Sequence, residues 1–121
     1  MIPAVAFIGP SQVGKTTVIE GVIVELKKRG FRVATIKHSG HEIAVDTPQK
    51  DSWRFTLAGS DVVVAVSDST ALYIQSGVPP IDVDRLLSLA QERADIALVE
   101  GFKHSALPKI AVHRKAVDTE V

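Results

Sequence analysis

The sequence predicts an α/β fold built on a mostly parallel sheet, and three observations carry that expectation. An apolar run over residues 2–8 leads into a glycine-containing loop, a segment with helical spacing follows the loop, and a β-branched run over residues 31–37 follows in turn. Strand, helix and strand in that order make a βαβ unit, whose strands run parallel and whose crossover is right-handed. The 121 residues fit one domain, residues 1–121, with enough chain to bury a core.

The elements follow in order. Ile2-Pro3-Ala4-Val5-Ala6-Phe7-Ile8 is a continuous apolar strand. No basic segment precedes it, so it reads as a strand and not as a secretion signal. After the loop, Val18, Ile19, Val22, Ile23 and Leu26 recur at helical spacing, and the basic run Lys27-Lys28-Arg29 ends at Gly30, a helix stop. Phe31 to Lys37 alternates and forms the second strand. A polar stretch, His38 to Lys50, precedes a short helix over Asp51 to Ala58, with Asp51 or Ser52 as its cap and Gly59 behind it.

Asp61 to Val66 and Thr70 to Gln75 are apolar strands separated by Ser67-Asp68-Ser69, which predicts a hairpin. Gly77-Val78-Pro79-Pro80 breaks the chain, and Asp82 caps a helix carrying Val83, Leu86, Leu87 and Ala90. Asp95 to Glu100 is a buried strand that ends in an acid. Lys109 to His113 is the last strand, and residues 114–121 form a polar, loose tail.

The loop after the first strand reads Gly9-Pro10-Ser11-Gln12-Val13-Gly14-Lys15-Thr16-Thr17, a complete G-x-x-x-x-G-K-T pattern. Between a strand and a helix N-terminus, such a loop turns its N–H groups around an anion, and the helix dipole adds positive charge there. Lys15 reaches the β- and γ-phosphates, and the Thr16 hydroxyl can ligate Mg²⁺. The pattern predicts a nucleoside triphosphate site in a P-loop NTPase three-layer sandwich.

Glu100 is the candidate for the acid that orients Mg²⁺ or a water, because ligands of open α/β sheets gather at the carboxyl ends of strands. The alternative is a solvated residue where a strand exits. Lys103 adds a second positive charge near the same strand end, or is simply solvated. Asp46 and Asp51 can approach Mg²⁺ directly or through water; for Asp51 the competing role is a helix cap. His38 and His41 lack an obvious third ligand and make a weak zinc site. Trp53 and Phe55 read as core or interface anchors.

Composition limits the partners. Lys+Arg and Asp+Glu number 14 each, so no global charge argues for nucleic acid or an anionic membrane. With no cysteine, disulfides and thiolate metal sites are excluded. A nucleotide-binding chain without export signals is expected in the cytoplasm.

Several separated segments together resemble one family. They are the loop with Thr16-Thr17, Ile36-Lys37-His38, Asp46-Thr47-Pro48-Gln49-Lys50-Asp51-Ser52-Trp53-Arg54, Ala58-Gly59-Ser60-Asp61, Leu98-Val99-Glu100-Gly101-Phe102-Lys103 and Leu107-Pro108-Lys109-Ile110. They look like the molybdopterin-guanine dinucleotide biosynthesis protein B (MobB) family, from about residue 4 to residue 114. The resemblance implies a GTP-binding accessory protein of molybdenum cofactor maturation with weak Mg²⁺-dependent GTPase activity, at most a slow enzyme. It implies a homodimer beside a MobA-type guanylyltransferase.

Carried over by position, Gly14, Lys15, Thr16 and Thr17 hold phosphates and Mg²⁺, Glu100 is the Walker B-type acid, and Asp46 with Lys50-Asp51-Ser52 lies near the nucleotide. Gln49 stands where the family has glycine, and Ser39-Gly40-His41 where it is richer in histidine, so this loop is expected to close differently. Family members extend past the last strand into a further strand and loop that can contact the base. The resemblance therefore implies a guanine-reading element that is shortened, rebuilt or supplied by a partner subunit. No N-K-x-D segment is present, so GTP over ATP is an inference from the family.

Two other readings of the loop stay open. An ATP-dependent small-molecule kinase would use the same loop, but needs an acceptor pocket and usually a lid bearing arginines; residues 38–50 contain none. A non-catalytic module whose nucleotide stabilises a dimer is the other. The apolar segment Asp61 to Ile74 suits such pairing, since its hairpin offers an edge to a second subunit.

Overall fold

The computed structural model describes residues 1–10, 13–38, 51–75 and 82–114, and of residues 51–53 only the backbone. In chain order the elements are β1 (Ala4–Ile8), α1 (Lys15–Lys28), β2 (Val33–Lys37), α2 (Asp51–Ala58), β3 (Val62–Val66), β4 (Ala71–Gln75), α3 (Val83–Ala90), β5 (Ile96–Glu100) and β6 (Lys109–Ala111). Every expected element is present, with strand ends trimmed by one or two residues. The described residues fall into two compact units, 1–38 with 82–114, and 51–75.

The first unit is a parallel sheet in the order β2-β5-β1-β6. The βαβ unit of β1, α1 and β2 is there, but β5 lies between its two strands. Helices cover both faces. On one, Ile19 of α1 packs with Phe7, Val13, Leu98 and Val112. On the other, Val83 and Leu87 of α3 pack with Ala6, Ala97 and Val99. Neighbouring residues of one strand thus serve opposite faces: Phe7 and Leu98 face α1, Ala6 and Val99 face α3. This alternation makes three layers of the chain. Phe7, Leu87, Leu98 and Val99 are its largest fully buried side chains, each worth about 1.5–3 kcal/mol in removal from water.

Local chemistry sets the helix ends. Past Lys28, the N–H of Gly30 donates to the carbonyl of Lys27 at 3.0 Å and that of Phe31 to Leu26 at 3.1 Å, a Schellman stop. At the start of α3, the Asp82 carboxylate accepts from the N–H of Arg85 at 2.9 Å, as the sequence predicts.

The second unit consists of α2 and an antiparallel hairpin in which Val63 pairs with Ile74 and Val64 with Tyr73. The hairpin forms a two-stranded sheet of its own. Val63 and Ile74 are buried, whereas Val62, Val64, Val66 and Tyr73 on the opposite pleat are exposed. Phe55 is 56% exposed, so it is not a core residue. The expected tail lies outside the described residues beyond Arg114.

The entries to β2 and β5 are clamped together. Asp95 accepts from the Arg32 backbone N–H at 2.8 Å and from its guanidinium Nη2 at 2.8 Å, while the Asp95 N–H donates to the Arg32 carbonyl at 2.8 Å. The Arg32 hydrogen bonds hold the Asp95 carboxyl below its ordinary pKa, and Arg32 is raised in return. A carboxyl with a depressed folded-state pKa contributes stability above its unfolded value of about 3.9, and loses it as pH falls through the folded value. The thermal midpoint of Asp95→Asn is therefore expected to lie below that of the unaltered chain at pH 7. The gap should close as pH falls through the depressed folded-state value of Asp95. A gap of unchanged size at that pH would assign the effect to packing instead of charge.

Candidate functional site

The site is assembled by strand register. Phe7 of β1 and Lys37 of β2 both stand opposite Glu100 of β5, so three parallel strands end at one level. From the end of β1 the chain enters the phosphate-loop pattern. Gly9 has φ 150°, and a Cβ there would lie 2.5 Å from the Val112 carbonyl oxygen, so only glycine fits beside β6. Val13 is buried under the loop among Phe7, Ile19 and Leu98. Gly14, in a left-handed conformation at φ 93°, then starts α1. The first turn of α1 carries no acidic side chain, which leaves the positive end of its dipole for an external anion.

Lys15, Thr16 and Glu100 converge at this point. The Lys15 ammonium donates to the Gly9 carbonyl at 2.8 Å, lying back along the loop it would share with a phosphate. The Thr16 hydroxyl donates to Glu100 Oε1 at 3.2 Å across 84 positions of sequence. The Glu100 side chain is only 13% exposed, and its Oε2 faces the Lys37 ammonium at 3.3 Å. A hydroxyl beside a carboxylate is a hard oxygen set, and it suits Mg²⁺. Donating its proton to Glu100 leaves the oxygen lone pairs of Thr16 for an ion. The residues present fit a magnesium–phosphate group.

Of the candidates read from the sequence, Gly9, Pro10, Val13, Gly14, Lys15, Thr16 and Thr17 form the described part of the loop and the start of α1, and Glu100 joins them. Ser11, Gln12, His41 and Asp46 lie outside the described residues, and so does the side chain of Asp51, whose backbone begins α2.

Two features escaped the sequence reading. One is the ion pair of Lys37 with Glu100, which depends on β5 lying next to β2. The other is a cavity of about 660 Å³ with a mostly apolar lining, to which Gly9, Lys15, Val83, Phe102, Leu107 and Pro108 contribute. Gly101 and Phe102 both take positive φ, 99° and 52°, and turn the chain sharply after Glu100. A Cβ on Gly101 would approach the His38 backbone and side chain to 3.2 Å. That closeness lets the His38 and Phe102 rings stack at 4.6 Å, 29° from parallel. The segment V-E-G-F-K held the signal: glycine and an aromatic directly behind a strand-end acid.

Comparison with known proteins gives one consistent result. The family model for molybdopterin guanine dinucleotide synthesis protein B matches residues 4–121. The chain is 41% identical over 115 residues to the molybdopterin-guanine dinucleotide biosynthesis adapter protein of Haemophilus influenzae, covering 94% of this chain and 65% of that protein. Against the protein of the same name from Escherichia coli it is 38% identical over 117 residues, covering 94% and 67%. The crystal structure of Bacillus subtilis MobB superposes with a TM-score of 0.82 at 31% identity, covering 98% of this chain and 72% of that one. The chain spans about two thirds of the length of these curated relatives. With the loop, the parallel sheet and the strand-end acid all in place, the chain belongs to the MobB family, whose members share a P-loop nucleotide-binding fold.

Proposed function

We propose that this protein binds GTP with Mg²⁺ and acts as an adapter in the synthesis of molybdopterin guanine dinucleotide, in the cytoplasm, as a homodimer that works with a guanylyltransferase. The observation that carries the nucleotide half is the convergence of Lys15, Thr16 and Glu100 at the α1 N-terminus. The pathway half is supported by the names of the relatives, which are adapter proteins of that biosynthesis. Among the described residues, no helix is long and apolar enough to cross a membrane.

The chemistry follows from the geometry. Phosphates seated in the loop of residues 9–17 would take the Lys15 ammonium from the Gly9 carbonyl, exchanging a neutral acceptor for charged ones. Thr16 and Glu100 would hold Mg²⁺, which would supply charge neutralisation for the phosphates. Glu100 would also orient water around the ion, and Lys37 competes with the ion for the same carboxylate. None of the described residues lining the adjoining cavity is an arginine. Such a charge is worth about 10³–10⁵ in rate, so hydrolysis without a partner is slow. Slow turnover suits an adapter that holds nucleotide while another protein uses it.

Dimerisation is supported by the exposed pleat of the hairpin. Val64 is 58% and Val66 74% exposed, beside Tyr73, on a face that is apolar over several residues.

Calorimetric titration is expected to show GTP bound in preference to ATP with Mg²⁺ present. Lys15→Ala should weaken GTP by roughly 10- to 100-fold, the cost of charge-assisted bonds to phosphate. Preference for ATP would refute the guanine assignment. The Mg²⁺ concentration at half-saturation should rise at least about tenfold in Glu100→Gln. In Lys37→Met it should fall by about two- to fivefold, as a competing, largely exposed ion pair is removed. A rise in Lys37→Met would mean that Lys37 serves the nucleotide directly. Light scattering is expected to give twice the chain mass, reduced to one chain by Val64→Asp with Val66→Asp while nucleotide binding persists. A single-chain mass for the unaltered protein at micromolar concentration would refute the dimer.

A further inference from the structure

We propose that Phe102 is a positioning residue for the ion: stacked on His38, it fixes the exit of β5 and so holds the Glu100 carboxylate where the Thr16 hydroxyl meets it. The proposal rests on the nucleotide reading above, which puts Mg²⁺ at Thr16 and Glu100. It adds a residue that is neither a ligand nor part of the phosphate loop.

The backbone gives the first argument. Glu100 is the last residue of β5, and the chain is gripped there from both sides. Its carbonyl accepts from the His38 N–H at 3.0 Å, and the Gly101 N–H donates to the Phe7 carbonyl at 3.2 Å. The chain then turns away through two consecutive residues of positive φ, Gly101 at 99° and Phe102 at 52°. Glycine takes this conformation freely and phenylalanine does not. Phe102 is the one non-glycine residue so placed among the described residues. Such a conformation persists where the surroundings enforce it. Here the ring contacts enforce it. The ring stacks on His38 at 4.6 Å, 29° from parallel. Phe102 also packs against the cluster of Ala6, Val83, Leu87, Ala97 and Val99.

The carboxylate gives the second argument. Lys37 stands opposite Glu100 in the register and faces its Oε2 at 3.3 Å, while Thr16 reaches Oε1 at 3.2 Å. Both contacts are longer than the best charge-assisted bonds, about 2.5–2.9 Å, so neither fixes the carboxylate by itself. The backbone must aim it. Lys37 and His38 therefore act as a pair at the end of β2, one on the carboxylate and the other on the turn behind it. Mg²⁺ demands near-ideal octahedral geometry, so a carboxylate that wanders loses ion affinity. Phosphate binding would be affected less, because Lys15 and the N-terminus of α1 belong to another element. The rest of the turn is closed without the ring. The Ser105 N–H donates to the Phe102 carbonyl at 3.0 Å, and the Lys109 ammonium donates to the carbonyls of Ser105 and Leu107.

Phe102→Leu keeps an apolar side chain against the core and removes the flat ring, whereas Phe102→Tyr keeps both. His38→Ala removes the other half of the pair. For each variant, GTP affinity is measured by calorimetry in EDTA, followed by the Mg²⁺ concentration at half-saturation. Phe102→Leu and His38→Ala should each raise that concentration about three- to tenfold, the value of one aromatic pair. The double variant should be no worse than either single one, since both remove the same contact. Phe102→Tyr should stay within about twofold, and so should every affinity in EDTA. Phe102→Gly suits the backbone and lacks the ring, so it should behave as Phe102→Leu does. It still decides the matter should Phe102→Leu not fold.

Equal losses with and without metal would make the ring a general support of the fold and overturn the proposal. Additive effects of the two substitutions would overturn it too, and so would an unchanged or lowered half-saturation. Failure of the unaltered protein to bind GTP would refute the guanine reading by itself. Mn²⁺ with inorganic tripolyphosphate, followed by water-proton relaxation, then carries the same comparison of variants. No bound Mn²⁺ in that titration would overturn the positioning role as well.

Discussion

The level at which the parallel strands end is the constraint on which the site depends. Phe7, Lys37 and Glu100 occupy matched positions on three strands, so whatever follows each of them is delivered to the same edge of the sheet. After β1 comes the phosphate-binding loop, after β2 His38, and after β5 the Gly101-Phe102 turn. The register is fixed from both ends. At the entry side Arg32 and Asp95 lock β2 to β5, and at the exit side the Gly101 N–H donates to the Phe7 carbonyl. A slip by one residue would exchange the faces of every side chain in β5, placing Leu98 under α3 and Ala97 under α1. The core could not tolerate that exchange. Packing therefore holds the carboxylate of Glu100 where the hydroxyl of Thr16 reaches it.

Much of this was legible in the sequence because its signals are local. The nine-residue loop pattern, the helix stop at Gly30, the cap at Asp82 and the apolar run ending in Glu100 each depend on neighbours a few positions away. What the sequence concealed is non-local. Nothing in residues 31–37 announces that β5, some sixty positions later, will separate β2 from β1. For that reason Lys37 read only as the last residue of a strand, although it faces Glu100 at 3.3 Å. The cavity was hidden for the same reason. Its walls come from the starts of α1 and α3, the end of β2 and the segment after β5, and only the sheet order brings them together.

The two units also differ in how they satisfy their apolar residues. In the first, both faces of the sheet are covered, and the central strand residues Ala97, Leu98 and Val99 are almost wholly excluded from water. In the second, a two-stranded hairpin buries Val63 and Ile74 alone and leaves the valines of the other pleat exposed. A lone hairpin is marginal in water, yet Val62, Val64 and Val66 stay exposed on the open pleat. Alternating polar residues would have served a solvated face better. The apolar run from Asp61 to Val66 could not disclose which of its residues are covered, because a strand buried on both faces has the same composition as one exposed on a face.

In the proposed role the site would combine binding groups with weak means of catalysis. Lys15 and the helix dipole would stabilise phosphate in its ground state, and such uniform binding does not by itself lower a barrier. Acceleration needs charge that acts only as the transition state forms, and none of the described residues lining this cavity is an arginine. Lys37 adds to the restraint, since its ammonium already neutralises the carboxylate that would organise the ion. In the proposed role, the contact of Lys37 with Glu100 would have to loosen before the carboxylate could serve an ion, so such a site would bind nucleotide more readily than it would turn it over.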